Sequence, residues 1–163
     1  MQDLVEKLAA LLKENKMMLV TAESCTGGLL SARLTAISGS SSWFEGGFVT
    51  YAPRLKTRAI GVSEAVIEAF GVVSEPVAAA MATGALNASA ATLSVSLTGV
   101  AGPQGGDILT PVGTVWFGWA ARQADGAPEV LQTSEHQFSG DRASVRKAAC
   151  EVAIDGLLRV LRN

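Results

Sequence analysis

The sequence predicts an α/β protein, a three-layer α/β/α sandwich with a mixed central sheet. In the first part of the chain, short apolar runs of strand type alternate with segments of helical periodicity, which predicts strands joined by helices. In the last part, two strand-like segments follow one another directly, which indicates an antiparallel pair and makes the sheet mixed. The length of 163 residues predicts a single domain, 1–163, with a core large enough to be stable without disulfides.

The first half of the chain predicts three helices and two strands, in the order helix 2–15, strand 17–22, helix 29–37, strand 44–51 and helix 53–60. The first helix is predicted from leucines at helical spacing, and the first strand from an unbroken apolar run typical of a strand buried on both faces. Gly39 ends the second helix before a turn of three serines. Pro53 suits the first position of the third helix, where its missing N–H costs nothing.

The second half predicts one alanine-rich helix, three strands and a last helix, in the order helix 75–89, strands 93–97, 112–120 and 130–138, and a helix capped by Gly140-Asp141. Ser74 is expected to be the N-cap of the alanine-rich helix, whose small side chains favour close packing. Gly-rich loops separate these elements, and no internal repeat or linker interrupts them.

The composition argues against several classes of function. With a net charge of −2 and no run of basic residues, the chain lacks the positive stripe that nucleic-acid binding requires. No apolar stretch reaches the roughly 18–20 residues needed to span a bilayer, so no membrane partner is expected. The early acidic residues do not form a signal-peptide pattern, and we expect a cytoplasmic protein.

The cysteines and the histidine argue against a metal or disulfide site. Cys25 and Cys150 do not form a disulfide framework, and a reducing cytosol would keep them free. His136 is the only histidine and has no second histidine with which to share a metal. We therefore expect no zinc site and no histidine–carboxylate iron site, and a serine-histidine-acid site would have to use His136 alone.

The segment Ala22-Glu23-Ser24-Cys25-Thr26-Gly27-Gly28 is the first candidate for chemistry, because it lies where a buried strand gives way to a helix. The helix would point free N–H groups and its positive end at this segment, and the glycines would allow a ligand to approach the backbone. These features suit a hydroxyl nucleophile beside an oxyanion or a phosphate. The alternative is a capping turn, in which Ser24 or Thr26 only satisfies helix N–H groups.

The segment from Thr50 to Lys56 is the second candidate. If Pro53 opens a helix, Lys56 falls on its first turn, where the helix terminus and the neighbouring Arg54 and Arg58, together with any burial, would lower the lysine pKa. A lysine general base requires such a lowered pKa. The alternatives are a solvated surface lysine and, for Tyr51, a core aromatic residue.

Two further segments are weaker candidates. The loop 98–106 is rich in glycine and directly follows a strand, which suits a substrate-binding edge but also an ordinary turn. Arg142, with Arg146 one turn later, lies at the start of the last helix and suits a carboxylate or phosphate ligand. A surface salt bridge to Asp141 or Glu151 is the alternative.

Together these segments resemble the CinA C-terminal domain family, in order and over almost the entire chain. The motifs that carry the resemblance are Ala22-Glu23-Ser24-Cys25-Thr26-Gly27-Gly28, Gly39-Ser40-Ser41, Gly46-Gly47 with Tyr51 and Lys56, Thr98-Gly99-Val100-Ala101-Gly102-Pro103 with Gly105-Gly106, Pro111-Val112-Gly113-Thr114-Val115, and Phe138-Ser139-Gly140-Asp141-Arg142 with Val145-Arg146.

The resemblance implies both a fold and an activity. Members are known as nicotinamide-nucleotide amidohydrolases, which convert nicotinamide mononucleotide and water to nicotinic acid mononucleotide and ammonia in pyridine-nucleotide recycling. The family fold is an α/β/α sandwich, and no metal or cofactor is implied. Many relatives carry a preceding domain similar to molybdopterin-binding proteins, and the sequence is expected to be the form without that domain.

The resemblance also implies roles for particular residues. Ser24 would be the nucleophile that attacks the carboxamide carbon, and Lys56 the base that accepts its proton. Tyr51 would support proton transfer or hold Lys56, and Ser41 would assist by hydrogen bonding. Our own hypothesis is that backbone N–H groups of the segment directly after Ser24 stabilise the oxyanion. These are the N–H groups around Cys25, Thr26, Gly27 and Gly28.

The nucleotide itself would be bound by the second Gly-rich loop and the last helix, through Thr98, Gly99, Ala101, Gly102 and Arg142. Arg142 would lie near the phosphate or the pyridine, with Arg146 the less favoured candidate for that charge. The sequence departs from the usual pattern at Thr50 and Ala52, where serines are common in the family. The stretch 106–110 is also shorter and more apolar than usual, which bears on substrate affinity more than on reaction type.

Two alternatives to this activity remain open at the level of sequence. One is a nucleotide-binding or regulatory module without catalysis, which would fit the family's association with competence and damage. The other is an amidase for a different carboxamide. Trp116, Phe117 and Trp119 could mark a subunit interface or belong to the core, and we expect a homodimer.

Overall fold

The computed structural model describes residues 1–162 and contains one five-stranded mixed sheet in the strand order β2-β1-β3-β4-β5. The elements, in chain order, are α1 Gln2–Glu14, β1 Leu19–Glu23, α2 Leu29–Thr35, β2 Phe44–Val49, α3 Pro53–Ile60, α4 Glu64–Phe70, α5 Glu75–Asn87, β3 Leu93–Gly99, β4 Thr114–Arg122, β5 Pro128–Gln137 and α6 Arg142–Val160. A short 3-10 turn, Ser40–Ser42, precedes β2. The α/β class with a mixed sheet, predicted from the sequence, is confirmed.

The helices cover the two faces of the sheet in separate groups. Alternate residues of β3 show the division: Leu93, Val95 and Leu97 pack with α1, α2 and α6, whereas Ser94 and Ser96 face α5. The second face is covered by α3, α4 and α5, whose apolar residues form their own cluster. Within residues 1–162, no helix is long and apolar enough to cross a membrane.

Parallel pairing brings the ends of three strands to one edge of the sheet. β1 pairs in parallel with both β2 and β3, and the antiparallel strands β4 and β5 complete the sheet. The carboxyl ends of β1, β2 and β3 therefore lie side by side, in the arrangement in which open α/β sheets bind ligands. The loops that begin at Ser24, Thr50 and Val100 all start from this edge.

Glycine 84 allows α3 and α5 to pack closely. A Cβ atom at Gly84 would lie 2.0 Å from the carbonyl oxygen of Ile60, the last residue of α3. A larger residue at Gly84 would therefore push apart the two helices, and α3 carries Lys56. The close contact at Gly84 thus helps to fix the position of Lys56 relative to the sheet.

The structure differs from the predicted elements in three respects. The helix α4 was not predicted, because its seven residues form barely two turns and none of its side chains is fully buried. Ser74 occupies the N-cap position of α5, but its hydroxyl donates to the carbonyl of Gly71 and caps no helix N–H. Strand β1 extends to Glu23, one residue beyond the predicted end, with the carboxylate completely buried.

The aromatic residues of β4 belong mainly to the core. Phe117 and Trp119 have no exposed surface, and the Trp119 indole N–H donates to the carbonyl of Ala153 in α6. Of the two possibilities left open by the sequence, the structure therefore places Phe117 and Trp119 in the core. Trp116, on the opposite face of the strand, is only partly buried.

Candidate active site

Backbone hydrogen bonds hold the nucleophile loop, residues 24–28, beside its neighbours at the carboxyl edge of the sheet. The Ser24 N–H donates to the Leu97 carbonyl of β3 over 3.0 Å, which continues the pairing of β1 with β3. The Thr50 N–H donates to the Glu23 carbonyl over 2.9 Å, which continues the pairing of β1 with β2. The loop thus starts from a position fixed on both sides.

Ser24 and Lys56 contact each other directly, although 32 residues separate them in the chain. The distance between Lys56 Nζ and Ser24 Oγ is 2.9 Å, and Lys56 Nζ also donates to the Thr50 carbonyl oxygen over 2.6 Å. Lys56 has no exposed surface and Ser24 exposes only 6%. A serine hydroxyl and a desolvated amine are therefore placed at hydrogen-bond distance.

Burial lowers the pKa of Lys56 from 10.5 to about 8. Burial disfavours the charged ammonium, and in residues 1–162 the two hydrogen-bond partners of the amine are a hydroxyl and a carbonyl rather than a carboxylate. The lowered pKa expected from the sequence agrees with this direction, and burial of Lys56, one of its expected causes, is the main cause. Arg54 and Arg58, which were also expected to lower the pKa, are exposed to solvent and do not cause the shift.

Cys25 is a poor competitor for the role of nucleophile. Its thiol is buried, and burial raises its pKa to about 11. A thiol with this pKa stays protonated at neutral pH, whereas the thiolate is the reactive form. The hydroxyl of Ser24, which contacts the amine, is the better placed group.

Only part of the backbone of the nucleophile loop is free to bind an oxyanion. The Gly27 N–H donates to the Ser24 carbonyl, and the Gly28 N–H donates to the Glu23 carboxylate. Within the described residues, the N–H groups of Cys25 and Thr26 have no hydrogen-bond acceptor. The expectation of donors throughout 25–28 is therefore corrected to these two unpaired N–H groups, of which only that of Cys25 belongs to a residue with exposed surface, since Thr26 is fully buried.

Glu23 is the residue of this site that the sequence reasoning missed. Its carboxylate accepts five hydrogen bonds, from the Thr26 hydroxyl, the Gly28, Leu30 and Ser31 N–H groups, and the Ser31 hydroxyl. Glu23 therefore satisfies the start of α2, so the free helix N–H groups expected from the sequence are occupied. It also replaces Ser24 and Thr26 in the capping role weighed as the alternative to catalysis.

Arg142 connects two segments at the same edge. One of its nitrogens donates to the Gly102 carbonyl over 2.9 Å, and another donates to the Tyr51 hydroxyl over 3.0 Å. Tyr51 lies two residues beyond the end of β2 with 57% of its surface exposed. Lys56 forms hydrogen bonds with the Ser24 hydroxyl and the Thr50 carbonyl, so the Thr50 carbonyl, and not Tyr51, holds the lysine.

Arg146 also contacts the nucleophile loop. Its guanidinium donates to the Thr26 carbonyl over 2.8 Å, and its Nε atom is buried with no partner in residues 1–162. The structure thus brings Arg146 closer to the nucleophile loop than the sequence reasoning implied. Arg142 and Arg146 together place positive charge on the α6 side of the loop.

The second Gly-rich loop lies beside the nucleophile loop but presents mainly backbone. The Thr98 side chain is buried and donates to the Val72 carbonyl, so its hydroxyl is occupied. A Cβ atom at Gly99 would lie 2.6 Å from the Thr114 carbonyl oxygen, and one at Gly102 would lie 2.5 Å from Val112. Ala101 is also buried, at 4% exposure. These small residues allow the loop to pack closely against β4 and against the residues that directly precede β4.

Ser41 and His136 are not brought to Ser24 within one chain. Ser41 precedes the start of β2, whereas Ser24 follows the end of the parallel strand β1. Five strand residues at about 3.3 Å each place the two serines about 16 Å apart. The sheet therefore rules out hydrogen bonding of Ser41 to Ser24 in the same chain. His136 lies on β5, three strands from β1, and stacks on Phe138.

A hydroxyl, a neighbouring amine of lowered pKa and an unpaired backbone N–H group are the parts that serine–lysine acyl transfer requires. In residues 1–162, no group of three or more histidine, cysteine or acidic residues is placed to hold a metal. The fold and this arrangement define the class as an α/β protein with a serine–lysine pair at the carboxyl edge of its sheet.

Comparison with known proteins identifies the family. The family model of the CinA C-terminal domain matches residues 1–161. The chain is 45% identical to the nicotinamide-nucleotide amidohydrolase PncC of Enterobacter agglomerans, covering 98% of this chain and 94% of that protein. The corresponding protein of Escherichia coli K12 is also 45% identical, with 96% and 92% covered. The chain belongs to the CinA C-terminal domain family.

Longer relatives and solved structures agree with this membership. A CinA-like protein of Chlorobaculum tepidum is 49% identical over 98% of this chain, which corresponds to 38% of that protein. The crystal structure of the competence damage-inducible protein A from Klebsiella pneumoniae has a TM-score of 0.91 and 33% identity, covering 99% of this chain and 97% of that one. A CinA superfamily structure from Escherichia coli has a TM-score of 0.88 and 38% identity, with 98% and 89% covered.

Proposed function

We propose that this chain hydrolyses nicotinamide mononucleotide to nicotinic acid mononucleotide and ammonia, with Ser24 as nucleophile and Lys56 as general base. The observation that carries the proposal is the 2.9 Å contact between the Ser24 hydroxyl and a fully buried amine. The amidohydrolase names of relatives that match nearly the whole chain support the substrate.

Burial prepares the amine for its role as a base. With a pKa of about 8, a substantial fraction of Lys56 is neutral near pH 7.5, whereas an exposed lysine is almost entirely charged. The neutral amine keeps an N–H donor for the Thr50 carbonyl and directs its lone pair at the Ser24 hydroxyl. It can then accept the proton as Ser24 Oγ attacks the carboxamide carbon.

The tetrahedral intermediate places negative charge on the former carboxamide oxygen. The unpaired N–H group of Cys25 is the donor available to that oxygen, and one such donor contributes about 2.7–4 kcal/mol in comparable enzymes. Protonated Lys56 gives its proton to the departing nitrogen, which leaves as ammonia. Water then attacks the acyl-enzyme while Lys56 accepts a water proton, and release of the acid returns the proton to Ser24.

The nucleotide part of the substrate requires contacts beyond the reacting carbon. Arg142 and Arg146 lie on the α6 side of the loop, and a guanidinium suits a phosphate or a carboxylate. We assign the phosphate or pyridine contact to Arg142 and keep Arg146 as the second candidate. Thr98, Gly99, Ala101 and Gly102 contribute backbone beside the nucleotide, since the Thr98 hydroxyl is already bonded to Val72.

The decisive experiment measures ammonia release from nicotinamide mononucleotide. Ser24→Ala and Lys56→Ala are each expected to lower turnover by at least about 10³-fold, because each removes one member of a unit that acts together. His136→Ala is the matched control and should retain activity, since His136 lies on β5 away from the pair. Wild-type turnover by Ser24→Ala would contradict the assigned nucleophile.

Binding measurements separate the alternative functions. Calorimetry that detects binding of nicotinamide mononucleotide without product formation would favour a non-catalytic nucleotide-binding module. Product formation from other amides but not from this nucleotide would favour a different amidase. A binding module has no need of a buried lysine at 2.9 Å from a serine hydroxyl, which is why catalysis is the preferred function. The homodimer and the cytoplasmic location stay predictions.

A further inference from the structure

Glu23 is a buried charged side chain whose hydrogen bonds all lead to the segment after Ser24. It has no exposed surface, and its carboxylate oxygens accept from Thr26, Gly28, Leu30 and Ser31 at distances between 2.6 and 3.0 Å. A carboxylate removed from water is costly unless every oxygen is paired. Here the pairing consists of donors from the nucleophile loop and the first turn of α2, with no basic side chain among them.

The five hydrogen bonds determine which way the backbone of the nucleophile loop faces. The Gly28 N–H points at Glu23, and the Thr26 hydroxyl donates to the same carboxylate over 2.7 Å. The N–H groups of Cys25 and Thr26 remain without an acceptor in residues 1–162. One set of donors is thus directed at Glu23, and the N–H of Cys25, which keeps 6% exposed surface whereas Thr26 keeps none, is left for a ligand beside Ser24.

A second group of residues supports the carboxylate. The Thr21 hydroxyl lies 2.9 Å from the Ser31 hydroxyl, which in turn donates to Glu23 over 2.6 Å. Gly47 on β2 makes room for this contact, because a Cβ atom there would lie 2.2 Å from Ser31 Oγ. Two strands and one helix therefore converge on a single carboxylate that directly precedes the nucleophile.

We infer that Glu23 is a positioning residue for the reaction: its carboxylate holds the loop 24–28 so that Ser24 Oγ meets Lys56 while the Cys25 N–H group stays available to the oxyanion. This inference rests on the proposed function for the identity of the substrate. The hydrogen bonds of Glu23, from which it is argued, do not depend on that function. It assigns to Glu23 an effect on the rate of the chemical step, in addition to its effect on stability.

The test uses Glu23→Gln, which keeps the length of the side chain. An amide has one acceptor oxygen and one donor nitrogen, so two or three of the five donors lose their acceptor. We expect kcat to fall about 100-fold, as when an oxyanion donor is displaced, with KM within about threefold of wild type. Ser94→Ala is the matched control, because Ser94 is equally buried and its hydroxyl donates to Ala82, on the far side of the sheet.

Thr26→Val provides a milder second variant if Glu23→Gln does not fold. It removes one hydroxyl donor to Glu23 and keeps the Thr26 N–H and nearly the same volume. We expect about a tenfold fall in kcat that Thr26→Ser restores, since serine returns the hydroxyl. Wild-type kcat in Thr26→Val, or in folded Glu23→Gln, would overturn the inference, as would a Glu23→Gln variant that loses thermal stability alone.

A fluorophosphonate probe separates this inference from the choice of substrate. Ser24 Oγ attacks the phosphorus, fluoride leaves, and the serine proton passes to Lys56, so the labelling rate requires only the pair and its loop. If wild type is labelled but releases no ammonia, the proposed substrate is wrong, and slower labelling of Glu23→Gln still supports the inference. Labelling at the wild-type rate overturns it, and an unlabelled wild type overturns both.

Discussion

In the proposed mechanism, Lys56 is costly for the fold and useful for catalysis. The side chain has no exposed surface, and its amine contacts the Ser24 hydroxyl and the Thr50 carbonyl. Neither partner carries a charge that would compensate the ammonium, so burial lowers the lysine pKa to about 8. The same desolvation that destabilises the ammonium provides a neutral amine near physiological pH.

The lowered lysine pKa predicts how the rate depends on pH. The base must be deprotonated, so kcat/KM should rise with pH through about 8 and level off above it, because kcat/KM reports the free enzyme. The measurement is the initial rate of ammonia release at low substrate concentration between pH 6 and pH 10. A rate that is flat from pH 7 to pH 9 would contradict Lys56 as the base.

Lys56→Arg is the control for this pH profile. Arginine keeps the positive charge but does not give up its proton in a protein, so the variant should be inactive at every pH tested. Recovery of activity by this variant at high pH would mean that another group accepts the proton from Ser24.

At the scale of the elements, a glycine in β2 helps to position the candidate active site. Gly47 has no side chain where α2 crosses β2, and this absence allows the Ser31 hydroxyl to reach both Thr21 and Glu23. The pair Gly46-Gly47 inside a strand was noted in the sequence, but its purpose could not be derived from a strand pattern. The structure shows that Gly47 is required for a close approach of helix to strand.

Gly47→Ala should therefore affect activity through Ser31. The added Cβ atom would lie 2.2 Å from Ser31 Oγ and 2.6 Å from Thr21 Oγ1, so the Ser31 hydroxyl must move away from Glu23. We expect a loss of about 1–3 kcal/mol in the free energy of unfolding, as for other overpacked sites. We also expect a fall of about tenfold in kcat. Urea denaturation and the ammonia assay measure the two effects.

Ser31→Ala completes a double-mutant cycle with Gly47→Ala. Both changes act on the hydrogen bond between Ser31 and Glu23, so their effects on kcat should be clearly less than additive. Additive effects would show that Gly47 acts on the site by another route.

At the scale of the whole molecule, the sequence predicted the parts of the fold that depend on local patterns. Alternating apolar runs and helical periodicity placed the five strands and five of the six helices, and the positions of the loops followed. The contact between Ser24 and Lys56 was predicted only through the family resemblance, because the periodicity of a segment does not show which strands are neighbours in the sheet.

The remaining errors concern residues whose role depends on tertiary contacts. Glu23 was treated only as part of the motif 22–28, because a charged residue in a buried strand becomes stable only when α2 supplies its N–H donors. Ser41 was grouped with the site through the family resemblance, whereas parallel pairing of β1 and β2 puts it at the opposite end of these strands from Ser24. Sequence order shows that Ser41 precedes one strand and that Ser24 follows another, but it does not show that these two strands pair in parallel.

Lys56 should also lower the stability of the whole molecule, although the proposed activity requires it. Folding lowers the lysine pKa from 10.5 to about 8, so between these values the unfolded chain binds more protons and stability rises with pH. The full change corresponds to about 3 kcal/mol. Below pH 8 the cost of burying the charged Lys56 is fully present, and above pH 10.5 this cost is absent.

Lys56→Met removes the charge and keeps a flexible apolar side chain. At pH 7 we expect this inactive variant to be more stable than wild type by about 1–3 kcal/mol, the gain being reduced by the loss of the hydrogen bond to Thr50. The difference should shrink as the pH rises from 8 to 10, because wild type then loses its buried charge. Urea denaturation of both proteins at several pH values provides the measurement. A variant that is less stable at pH 7 would show that the hydrogen bonds of Lys56 outweigh the cost of burying its charge.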